Sequence, residues 1–232
     1  DRTVAGFSAS KTFFGMVPGN LKSETTFGVQ GRYDDIDVGL HATRERAYVA
    51  TVREDSVQEA SIGVFGENTL HWTNWVRSTV GLRADLHTAD VSSNVAENSG
   101  RDTDAIVSPK FGLVLGPWAA TEFYLNAGTG FHSNDARGTV TRIDPSSGAP
   151  ATPVPYLVRS EGAEIGVRTQ PSPFLTSTLS AFVLDFDSEI VFVGDEGTTE
   201  ASRPSRRIGL EYTLQTRLTP WLSLDLDAAY TH

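Results

Sequence analysis

Three stretches of this sequence gather side chains that could do chemistry. In "DFDSE", Asp185, Asp187 and Glu189 alternate with Phe186 and Ser188. An extended backbone would put all three carboxylates on one face. Such a set suits a hard cation like Ca²⁺, which takes about six to eight oxygen ligands; a hydrated acidic patch at the outer end of a strand is the plainer reading. In "FHSNDARG", His132, Asn134, Asp135 and Arg137 offer donors and acceptors that could face a ligand or a neighbouring domain. They could equally fix a strand exit by hydrogen bonds. Arg206 and Arg207 follow "SRPS". Two guanidiniums could attract an anionic chelate or anchor a loop. His41, His71, His87, His132 and His232 show no metal-binding spacing. No nucleophile elbow, phosphate loop or dinucleotide fingerprint occurs; "GTGFHS" lacks the third glycine and the following helix. Neither a cofactor nor enzymatic activity is expected.

The elements that must position these residues are β-strands. In "TEFYLNAGTGFHSN" (121–134), Phe123, Leu125, Ala127, Thr129 and Phe131 fall on one side and Glu122, Tyr124, Asn126, Gly128, Gly130 and His132 on the other. The same period of two returns over 76–88, 107–115, 207–218 and 222–231. It is less clean over 24–33 and 159–169, and poorest over 3–14 and 174–183, where Lys11 lands on a face that should be apolar. Phe123, Leu125, Leu210, Leu214, Leu224 and Leu226 should share the convex face of one sheet. Arg83, Glu122, Glu211, Arg217 and Asp225 should share the concave face. Short connections are expected near 16–20, 72–75, 116–119, 170–173 and 218–221. Long ones are expected near 37–56, 90–105, 133–157 and 194–204. The result is an all-β antiparallel up-and-down meander of about ten strands, with short turns at one end and long loops at the other.

Composition leaves two environments open for that meander. The chain is 39% hydrophobic and 21% charged, which fits a soluble sandwich or a membrane barrel whose strands are half apolar. No apolar run of about 18 residues exists, so a transmembrane helix is excluded. The absence of cysteine excludes disulfides and thiol chemistry. A net charge of −10 argues against a nucleic-acid partner. The tryptophans favour the membrane: Trp72, Trp75, Trp118 and Trp221 all sit at short connections, as an interfacial aromatic girdle would. The polar face carries charges of both signs, which suits a wide hydrated lumen or a polar plug better than a small barrel filled by its own side chains.

"GRYDDI" (31–36), "SPKFGLVLGPWAATEFYLNAGTGFHSNDARG" (108–138) and "LDFDSEIVFVGDEGTTEASRPSRR" (184–207) resemble the barrel half of TonB-dependent outer-membrane receptors. The resemblance covers nearly the whole chain. It implies a barrel of about 22 strands in the bacterial outer membrane, closed by an N-terminal plug. Ligand would bind at long outer loops and the plug apex. TonB would pull on a segment before the plug. Cargo would be a ferric siderophore, another metal chelate, cobalamin or an oligosaccharide.

The sequence departs from that pattern. It accounts for about ten strands, has no recognisable plug, TonB-contacting segment or signal peptide, and ends at "AAYTH". The expectation is a single segment, 1–232, from the C-terminal-proximal part of a larger barrel. In isolation it should form an open curved sheet with unpaired terminal strands and no transport activity. Its partners would be outer-membrane lipid, the plug and remaining strands of the parent chain, the TonB complex and the cargo. A passive porin-type channel and a soluble all-β binding module are the competing readings.

Overall fold

The computed structural model describes residues 1–188, 190–193, 198–201 and 203–232, with backbone only for 190–193 and 198–201. The strands are β1 (Arg2–Val17), β2 (Leu21–Arg44), β3 (Ala47–His71), β4 (Val76–Ser93), β5 (Gly100–Trp118), β6 (Thr121–Ser133), β7 (Leu157–Ser172), β8 (Leu175–Phe186), β9 (Ile190–Val193), β10 (Thr198–Ala201), β11 (Ser205–Thr219) and β12 (Leu222–Thr231). Ten of them form one sheet in the order β1 to β8, then β11 and β12; β9 and β10 pair with each other. Every neighbouring pair is antiparallel, and β1 and β12 stand at opposite open edges. Among the described residues, helix is confined to one 3-10 turn, Ala96–Asn98, and a short α1, Ala136–Val140.

The register carries the expected division of faces from strand to strand. Phe123 lies opposite Val167 and Leu125 opposite Ile165; Leu179 lies opposite Tyr212 and Ala181 opposite Leu210; Leu214 lies opposite Leu226 and Thr216 opposite Leu224. One face therefore collects most of the aliphatic side chains and many aromatic ones, often exposed, among them Phe7, Phe27, Leu82, Ile165 and Leu210. The other face collects Arg83, Glu122, Glu211, Arg217 and Asp225. On that polar face ion pairs reach past intervening strands: Arg77 of β4 binds Glu122 of β6 at 2.8 and 3.2 Å.

The loop map needs correction at the end where long connections were expected. Residues 37–56 are not a loop. β2 and β3 run through them to a two-residue turn at Glu45 and Arg46, whose φ values of 51° and 68° are those a tight type I′ hairpin requires. Residues 90–105 are likewise mostly strand, broken only between Ser93 and Gly100. Strands of 24 and 25 residues greatly exceed the roughly 9–11 that cross a bilayer. Their outer halves carry polar residues on both faces, so they lose the alternation that marks a strand. The 133–157 connection is long, as expected.

Close packing on the polar face depends on glycine. The Tyr124 ring lies against Gly166, 2.3 Å from where a Cβ would stand, and its hydroxyl donates to Glu164 Oε1 at 2.8 Å. Phe65 covers Gly28 in the same way, an aromatic side chain shielding a bare stretch of backbone. Gly166→Val should displace Tyr124, break its bond to Glu164 and cost about 1–3 kcal/mol by overpacking. Thermal unfolding in detergent checks this; an unchanged midpoint would show that the ring moves freely.

Candidate functional site

At the end opposite the tryptophans, the segment between β6 and β7 folds back over the polar face of β3, β4 and β5. The β5–β6 ladder stops at Lys110–Gly128, while β6 stays paired with β7 as far as Ser133. α1 and Tyr156 cover an apolar patch of Val57, Ala89 and Val91, so Ala136, Val140 and Tyr156 are buried with it. This cluster is the main dry core among the described residues. It lies under a connection, not between sheets.

Polar groups lock the segment down. Asn98, fully buried, donates to the Ile143 carbonyl at 2.8 Å and accepts from the Arg142 and Ile143 amides at 2.9 and 3.0 Å. Asn134 Nδ2 donates to the Pro155 carbonyl at 2.6 Å, closing the loop base. The Leu157 amide donates to Asp104 Oδ2 at 3.2 Å. Tyr156 donates to Glu59 at 3.1 Å, and His87 packs edge-on against Tyr156 and Phe131. The innermost part is ionic. The Arg53 and Asp55 side chains are 5% and 0% exposed and bind each other. Arg53 Nη2 also donates to Thr141 Oγ1 at 3.4 Å, and Arg137 Nη1 stands 3.9 Å from Asp55 Oδ2. Asp55 Oδ1 has no protein partner.

The residues singled out in "FHSNDARG" divide. Asp135 caps α1 by accepting from the Arg137 amide at 2.9 Å, and it holds the Arg137 guanidinium at 2.6 to 3.2 Å. Asn134, Asp135 and Arg137 are thus built into the loop anchor. His132, next to them in sequence, follows the polar side of β6 opposite Val158. Arg53, Asp55, Glu59, Asn98 and Tyr156 were not singled out from sequence. The first three lie on or beside a stretch read as loop, and no local motif ties any of them to residues 134–142.

Burial raises the Asp135 carboxyl, but the hydrogen bonds and charge of Arg137 outweigh it and leave the pKa below its ordinary value. Arg137 is raised, first by its hydrogen bond to Asp135. A depressed carboxylate contributes stability above its unfolded pKa of about 3.9, and loses it as pH falls through the folded value. Protease sensitivity of residues 134–156 should therefore rise as pH falls below about 4. A rise beginning near pH 6.5 would point to a histidine instead.

The other candidates lie apart from this anchor. Arg206 grips Asp185 at 2.6 and 3.0 Å, in register on the same face as Ile208 and Leu210. Arg207, on the opposite face, packs over the Phe186 ring at 5.1 Å. Asp185 thus already has a cationic partner. The Asp187 amide donates to the Arg159 carbonyl, and Glu189 lies outside the described residues. Among the described residues no group of three histidine or acidic side chains is arranged to hold a metal.

Nearer the tryptophan end the polar wall carries further ion pairs. Glu122 accepts from both Arg77 and Arg168, and Lys110 meets Glu67 at 2.5 Å. Trp75 packs at a tilt against Trp118 with centroids 5.6 Å apart, and Trp72 Nε1 donates to Ser78 at 2.8 Å. A band of apolar surface ending in tryptophans, backed by a charged wall and an inward-folded segment, is the anatomy of a membrane barrel wall.

Comparison with known proteins gives the same architecture. The ferric citrate transporter FecA, in unliganded form, superposes with a TM-score of 0.73 at 14% identity over 99% of this chain and 35% of its own. The hemophore receptor HasR of Serratia marcescens, solved with its hemophore and heme, gives 0.73 at 14% identity over 99% and 41%. The copper transporter OprC gives 0.66 at 16% identity over 99% and 37%. At these identities the likeness is one of fold, and the chain spans well under half the length of each structure. A search of curated protein sequences gave no match. The family model for the TonB-dependent receptor-like β-barrel matches residues 2–232. By that match, and by its open meander with one apolar and one charged face, the chain belongs to the TonB-dependent receptor β-barrel family.

Proposed function

We propose that the chain is the barrel portion of a TonB-dependent outer-membrane transporter that actively takes up a siderophore, another metal chelate or a comparably large nutrient. The observation that carries this reading is the sheet's division into an exposed apolar face and a charged face over which residues 134–156 are folded. A wall of that kind suits a wide lumen occupied by protein and polar cargo. In this reading the plug and the remaining strands of the parent protein complete the barrel, and TonB acts through the plug region. His132 and Arg207 are the ligand- or plug-facing candidates on the polar face. Asn134, Asp135 and Arg137 act by setting the shape of the mouth. Arg206 stands with the lipid-side residues. The named cargoes of the structural relatives, ferric citrate, heme and copper, mark the class without choosing within it.

Uptake of radiolabelled ferric chelates, copper or heme by cells producing the parent protein tests this. Accumulation should need both the protein and a working TonB system. Uptake that persists without TonB energy would overturn the transporter reading in favour of a passive channel.

A further inference from the structure

Lys11 breaks the rule that the rest of its face obeys. Its register partner is Phe27, which lies opposite Gly66; Gly66 lies opposite Leu82, and Leu82 opposite Pro109. All belong to the apolar face. On β2 the positions of that face are uncharged from Leu21 to Tyr33, and Asp35 ends the run; on β4 they are uncharged from Val76 to Thr88, and Asp90 ends it. Phe27 and Leu82 mark the middle of these runs, so Lys11 sits level with the centre of the band. From the centre of a band about 25 Å tall, a four-carbon stem does not reach either interface. A lysine facing lipid there costs a barrel roughly thirty- to several-hundred-fold in its folding equilibrium. Among the described residues, the Lys11 ammonium has no hydrogen bond or ion pair.

Lys11 is also on β1, an edge strand of the open sheet. Its free edge presents N–H and C=O groups that lipid cannot satisfy. A strand must cover that edge, and its apolar-face side chains would stand beside Lys11. We infer that the strand completing the barrel against β1 carries an aspartate or glutamate on its apolar face, placed to form a cross-strand ion pair with Lys11. Opposite charges directly across a ladder attract, and like charges there repel. The pair would fix which strand docks on this edge and in which register. A slip of one residue turns the carboxylate to the other face and leaves Lys11 alone in lipid. This inference rests on the membrane-barrel reading proposed above.

The parent protein in native outer membranes provides the test. A lipid-soluble carbodiimide should couple the Lys11 amine to the partner carboxylate, and mass spectrometry should find that amide within the same polypeptide. Lys11→Met should lower the barrel's unfolding temperature, because it strands a carboxylate in lipid; Lys11→Arg should largely restore it. If Lys11 instead faces bare lipid, Lys11→Met raises the unfolding temperature and no cross-link forms. That result, or a cross-link only to a different protein, overturns the inference. Phe27→Cys separates this failure from failure of the membrane reading. In a lipid-facing position it should react with a lipid-soluble maleimide and not with a charged one. Labelling by the charged reagent would sink the membrane reading itself.

Discussion

Removal of the Asp55 carboxylate should release the segment between β6 and β7. Asp55 is fully buried, and its partner Arg53 is nearly so. Asp55→Ala leaves the Arg53 guanidinium with only the Thr141 hydroxyl at 3.4 Å, and breaking a buried ion pair from one side costs about 3–5 kcal/mol. The protein can limit that cost in one way, by lifting the segment and wetting Arg53. The effect should therefore appear locally, as faster proteolysis and amide exchange over 134–156, with the lower strands unchanged. A tenfold rise in cleavage needs only about 1.4 kcal/mol when opening is fast, so the expected change is large. Asp185→Ala is the control: its partner Arg206 is 66% exposed, and solvent already screens the pair. Equal cleavage rates for the Asp55 variant and the unmodified protein would mean that the buried pair does not hold the segment.

The second large effect concerns the apolar face. Leu82 is 56% exposed, yet it stands in the middle of the uncharged run of β4, in register with Gly66 and Pro109. A charge on the lipid side of a barrel costs about 2–4 kcal/mol at the bilayer midplane and little near the interfaces. Leu82→Arg in the parent protein should therefore lower barrel stability by about that amount and reduce its yield in the outer membrane. Gln215→Arg, also exposed but on the charged face opposite Asp225, should change little. Heat-modified gel mobility of the two variants makes the comparison. On a soluble sheet both positions would face water and the two substitutions would behave alike. A tolerant Leu82 would therefore count against lipid contact.

How much of this was legible before the fold depended on whether a residue's environment repeats along the chain. Across 121–134 one side is apolar and the other polar, so the period of two is plain and the two faces were told apart correctly. Lys11 stood out as a misfit in the same pattern, and the register confirms that it faces the apolar side. The short turns were readable from their Pro, Gly and Asn content. The outer halves of β2 and β3 were not. There both faces are polar, so "TVREDSVQEA" reads like a loop although it is strand throughout. The hairpin at Glu45 and Arg46 carries none of the usual Asn-Gly signal.

Local periodicity was sufficient to establish an antiparallel meander, its strand order and the sidedness of its faces, because neighbouring strands and alternating side chains are short-range consequences of composition. Only the tertiary structure decided what happens at the mouth. Arg53 meets Thr141 across 88 residues and Glu59 meets Tyr156 across 97. Such contacts have no period and no motif. They form because a segment with an apolar turn, Ala136 to Val140, finds the Val57, Ala89 and Val91 patch on an otherwise polar wall, and its charges must then be neutralised where they are buried.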